Sequence, residues 1–151
     1  MVKKLTLDIN LFEGIEMLGL VTHFKDYRLA YYINDAMGIQ LKKHADFQLA
    51  GKNGQYSWYY FTEGGNYHNI TMIGNNHQAD KLITDYKADY LFLIKNIFDE
   101  DQIAEFISKL RKIADLSLVF QMQLAKVKNI DILLEALEMH ELKQVIRPEN
   151  I

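Results

Sequence analysis

The chain has 151 residues, 49 % of them hydrophobic and 25 % charged. That suits one globular domain able to bury about 70 % of its unfolded surface without metal or disulfide staples. It carries no cysteine, which excludes disulfides, thiolate nucleophiles and Cys-ligated zinc. Its net charge of −3 argues against sequence-independent attraction to nucleic acid or to an anionic membrane surface.

Lys3 and Lys4 open the chain as a signal peptide would, but Asp8, Glu13 and Glu16 interrupt any apolar core of one. No uncharged apolar run reaches the roughly 18 residues of a membrane span. The expected location is cytoplasmic, with neither membrane nor nucleic acid as partner.

In chain order, residues 4–9 alternate Leu5, Leu7 and Ile9 with polar neighbours and predict a half-buried strand. The apolar run 17–22 reads as the lead into a helix over 25–37, which buries Leu29, Tyr32, Ile33 and Ala36 and ends at a left-handed Gly38. Strands over 46–51 and 55–62 flank Lys52-Asn53-Gly54, a strong hairpin signal. Glu63-Gly64-Gly65-Asn66 then turns the chain into a strand over 67–73, closed by Gly74-Asn75-Asn76. A short strand over 80–83 precedes a central one over 88–94, where Tyr90 to Ile94 is continuously apolar.

Asp99 is placed to cap a helix, with Gln102 completing a capping box and Phe98 stapling onto Ile103. Ile103, Phe106, Ile107 and Leu110 form its apolar stripe, and Lys109, Arg111 and Lys112 favour its C-terminal dipole. A strand over 116–122 and a helix over 129–139 follow, with a tail from about 141, holding Pro148, expected to fray. These elements predict a single α+β domain over 1–151, with a mainly antiparallel meander sheet packed against three helices.

Two clusters could carry function. His23, Lys25, Asp26, Tyr27 and Arg28 fall where the apolar run meets the helix. A helix N-terminus with two cations favours an anionic group, and Asp26 is placed to orient His23 as a general base. The plain alternative is helix capping with a surface ion pair. In the second cluster, alternation sends Tyr56, Trp58 and Tyr60 to one face of a strand, and Tyr59 and Phe61 to the other. Tyr and Trp on an exposed face would make a docking surface; the alternative is a core face backed by a second face that a helix covers.

The five histidines show no metal-binding spacing, and Asp85 with Asp89 reads as a solvated loop end more than an acid–base pair. Phosphate-binding glycine loops and nucleophile elbows are missing. No catalytic residue, metal or cofactor is expected.

Leu18-Gly-Leu-Val-Thr-His-Phe-Lys-Asp-Tyr-Arg-Leu29, followed by Ile33-Asn34, resembles the opening of the IPExxxVDY family of small bacterial proteins. The naming motif aligns with Leu82 to Tyr90: Asp89 and Tyr90 match, whereas Leu82, Ile83, Thr84 and Ala88 stand where the family has Ile, Pro, Glu and Val. The resemblance implies a cytoplasmic bacterial protein and adds Asp89 and Tyr90 to the site candidates. It brings no reaction with it. The expected function is a non-catalytic protein-interaction module, acting on a partner or as a homodimer, through the aromatic face or the helix at 25. The alternative is a binding protein or enzyme for a small anionic ligand, in a cleft around His23–Arg28 and Asp89.

Overall fold

The structure, a computed structural model, describes residues 12–63, 68–77 and 80–146. The predicted strand over 4–9, the turn at 64–66 and Pro148 lie outside them. Among the described residues the strands are β1 (Ile15–Thr22), β2 (Lys42–Lys43), β3 (Trp58–Thr62), β4 (Asn69–Gly74), β5 (Asn76–His77), β6 (Asp80–Lys81), β7 (Tyr90–Lys95) and β8 (Leu116–Gln121). The helices are α1 (Asp26–Met37), α2 (Glu100–Arg111) and α3 (Ile130–Glu141).

Six strands form one sheet in the order β2-β3-β4-β7-β1-β8, and every pairing in it is antiparallel. β5 and β6 form a separate small hairpin.

Side-chain alternation divides the interior into two cores. Leu18 and Leu20 of β1, Ile70 and Met72 of β4, and Tyr90, Phe92 and Ile94 of β7 meet Leu29, Ile33, Ile103 and Leu110 of α1 and α2. The opposite face presents Met17, Trp58, Tyr60, Leu91 and Leu93 to Ile130, Leu133 and Leu137 of α3. The molecule is therefore a sandwich, with two helices on one face of an antiparallel sheet and one on the other.

That double burial explains the first correction. The run 17–22 precedes α1, as expected, but it is a strand: it belongs to β1, held between β7 and β8. A strand covered on both faces is apolar at consecutive positions, and over six residues this lacks the alternation that would identify it. Gly19 of β1 leaves room for the ring of Phe120, which a Cβ there would overlap. A bulge at Val21/Thr22 shifts the register, so that Leu118 faces Val21 and Leu116 faces Thr22. Leu116 and Val119 consequently share the α1/α2 core, and Leu118 is left exposed at the sheet edge.

Gly38 takes the expected left-handed cap of α1 (φ +66°), its N–H donating to Asn34 O at 2.8 Å. The hairpin around 52–54 is looser than predicted. Residues 46–51 form no strand; β2 pairs with β3 further out, and Phe47↔Tyr56 is an isolated bridge. The tight turn falls at Leu49–Lys52, with Gly51 at φ +88°.

Asp99 caps α2, but its carboxylate accepts from the Asp101 N–H (2.9 Å) rather than from Gln102. Phe98 does not join the core that takes Ile103; it is 71 % exposed. Past residue 141, α3 continues as a π turn over Leu142–Ile146. Glu141 is buried, and Gln144 accepts from the Ala45 N–H.

Candidate functional site

β1 ends at Thr22 and α1 begins at Asp26, so His23, Phe24 and Lys25 form the turn between them. Distant parts of the chain fix that turn. The Asp89 carboxylate accepts the Thr22 N–H at 3.0 Å and the Asn76 side-chain amide at 3.2 Å. The Tyr90 hydroxyl donates to Phe24 O at 2.8 Å. Thr22 Oγ1 donates to Asp115 O and accepts from the Phe24 N–H, each at 3.1 Å. Asn75, fully buried, fastens the preceding loop by donating to Ile83 O and Ala88 O and accepting from the Ile83 N–H.

The turn separates two openings. One, about 460 Å³, is lined by Lys25, Asp26, Lys43, Asp46, Asp89 and Tyr90 among others. Two of its carboxylates already share Lys43. Asp26 accepts from Lys43 Nζ at 3.0 Å and from the Tyr59 hydroxyl at 3.2 Å, and Asp46 lies 3.7 Å from the same ammonium. Burial pushes the Asp26 carboxyl up, but Lys43, the Tyr27 N–H and Tyr59 outweigh it and hold the group below its ordinary value. Tyr90 is pushed up to about 12 by burial and by the charges of Asp26 and Asp89, so its hydroxyl stays a donor.

The other opening, about 530 Å³, is lined by His23, Lys25, Tyr27, Arg28, Asp115 and Ser117, together with Phe24. It holds two permanent cations and one carboxylate. Among the described residues neither Lys25 nor Arg28 has an ion-pair partner within 4.0 Å. Arg28 lies over the Phe24 ring at 5.8 Å.

His23, Lys25, Tyr27 and Arg28 thus share one surface, with Lys25 on the border to the opening that holds Asp26, Asp89 and Tyr90. The expected pairing of Asp26 with His23 does not form, because Asp26 turns to Lys43 and Tyr59.

The aromatic docking face over Tyr56, Trp58 and Tyr60 is also corrected: Tyr56 and Trp58 are 0 % exposed and Tyr60 is 5 % exposed. α3 covers that face. Trp58 stacks on Tyr60 at 5.4 Å and meets the His140 ring edge-on at 4.8 Å, while the Tyr60 hydroxyl donates to Glu141 Oε2 at 2.8 Å.

Exposed aromatics occur instead on α1, where Tyr27 is 65 % and Tyr31 67 % exposed, one turn apart. The sequence reading missed Tyr31, although its i, i+4 spacing from Tyr27 was visible. Among the described residues no group of three His, Asp or Glu side chains could hold a metal ion, and no helix is long and apolar enough to cross a membrane. No family model, curated protein or solved structure matches the chain.

Proposed function

We propose that this protein is a non-catalytic interaction module that docks an acidic protein partner on the start of α1. The carrying observation is the exposed pair Tyr27 and Tyr31, flanked by Lys25 and Arg28 without ion-pair partners among the described residues. Tyrosine and arginine are the side chains that most often dominate a binding interface, and unmatched cations beside them steer an acidic partner. The groups that could do chemistry are engaged otherwise: Asp26 with Lys43, and Asp89 and Tyr90 with the backbone of the turn. Kinship with the IPExxxVDY family and a bacterial cytoplasmic setting remain part of this proposal. What supports the kinship is that its two stretches meet, Asp89 and Tyr90 bonding to Thr22 and Phe24.

A second reading has its own observation. The opening lined by His23, Lys25, Arg28 and Ser117 suits a small free anion. Affinity capture with the whole chain, followed by calorimetry on any stoichiometric partner, separates the two. Tyr31→Ala should weaken partner binding by about 30-fold, an interface hot spot's loss, with stability changed by no more than about 0.5 kcal/mol. Lys25→Glu with Arg28→Glu should abolish it. Tyr31 does not line the opening. Phosphate or a small dicarboxylate that binds regardless of Tyr31→Ala, with no protein captured, would replace the first reading by the second.

A further inference from the structure

The α3 side of the molecule carries a groove of the opposite charge. It lies between α3, the start of β1 and the end of β7, and encloses about 520 Å³. Its apolar lining comes from Ile15, Leu134 and Phe98. The Phe98 ring lies so close over Gly14 that a Cβ there would meet it at 2.7 Å. Four carboxylates rim the groove, Glu13, Asp131, Glu135 and Glu138, and none has an ion-pair partner among the described residues. The groove's one cation, Lys95, is bonded to Glu141 at 3.0 Å.

We propose that this groove docks a lysine- or arginine-rich amphipathic helix from a protein partner, one apolar side chain seated against Leu134 and Phe98. Charge complementarity selects the sign of the partner, and the apolar lining selects a segment with a hydrophobic anchor over an inorganic cation. The spacing selects a helix. Asp131, Glu135 and Glu138 run along one side of α3 over about 10 Å, with Leu134 between them, and an incoming helix with basic residues at i, i+4 and i+7 has the same repeat. This site shares no residue with the α1 surface and stands or falls separately from it.

The test uses the whole chain and a synthetic peptide of about 18 residues, long enough to hold a helix. Lysines sit at i, i+4 and i+7 around a leucine, and a scrambled peptide of equal composition is the control. Fluorescence anisotropy should show binding of the patterned peptide that weakens with salt. Glu135→Lys with Glu138→Lys should lower the affinity at least about tenfold, and Phe98→Ala several-fold. Both variants place their changes on exposed side chains, and thermal melts check that they fold. Tyr27→Ala with Tyr31→Ala should leave peptide binding unchanged.

Equal binding of the scrambled peptide, or full affinity in the charge-reversed variant, would overturn the proposal. Spermine binding with the same sensitivity to the variants, while the patterned peptide does not bind, would assign the groove to organic cations instead. Self-association that the charge reversal abolishes, again with no peptide bound, would assign it to a second copy.

Discussion

The Tyr90 hydroxyl and the Asp89 carboxylate are the kind of groups that bind ligands, yet here both bond to the backbone of one turn. Thr22 and Asp89 are 67 positions apart, and no local pattern shows that a carboxylate so far along the chain will meet that N–H. The contact between these two stretches was therefore not legible. Asp89 and Tyr90 position the turn, whereas His23, Lys25, Tyr27 and Arg28 are presented by it. Tyr90→Phe should lower stability by about 1 kcal/mol through the lost bond to Phe24 O, and Asp89→Ala by about 2 kcal/mol because its bonds are to an ionised group. The double variant should lose less than the sum, since both residues hold the same turn. Urea denaturation measures all three. Strict additivity would mean that the two bonds act on independent parts of the structure.

At the level of elements, those whose apolar period and caps coincide were readable from sequence. α1 is capped by the glycine expected, and α2 by Asp99. β1 was not, because two faces buried at once erase the alternation that marks a strand. The aromatic strand β3 was recognised, and a covering helix was the alternative to an exposed face, but which helix covers it was not legible. The partner, α3, lies about 80 residues away, and its approach is fixed by a bonded set: Tyr60 and Lys95 both donate to Glu141. This set can be tested by taking it apart. Lys95→Met leaves the buried Glu141 carboxylate without its counter-charge and should destabilise by about 3 kcal/mol, whereas Lys95→Met with Glu141→Leu removes both charges and should regain most of that loss. If the double variant is as unstable as the single one in urea, the contribution of the pair is packing and not charge.

Across the whole molecule, the sheet separates two cores, and α3 is the helix that closes the second, together with Phe47, Ile83, Leu124 and Val127 from the connections. The closure is made at one end by two histidines. His140 Nε2–H donates to Ala45 O at 2.9 Å, its ring meets Trp58, and His44 meets Trp58 from the strand side at 5.3 Å. Trp58 Nε1 is buried without a hydrogen-bond partner among the described residues, so the indole is held by ring contacts. Burial lowers the pKa of His44 below 6.5, with Lys42 adding to it. Burial also lowers His140 below 6.5, helped by Lys143 and His44 and opposed by the Ala45 bond and Asp46. The unfolded chain therefore takes up protons at a higher pH than the folded one. Stability from these groups is complete above 6.5 and is lost as pH falls through the depressed folded values. Thermal melts should show a lower Tm at about pH 5 than at about pH 7.5, and His44→Phe with His140→Phe should flatten that slope whatever it does to the absolute Tm. An unchanged slope would move the acid sensitivity to other groups. A flattened one would make α3, which carries the acidic groove on its outer side, the element whose seating responds to pH.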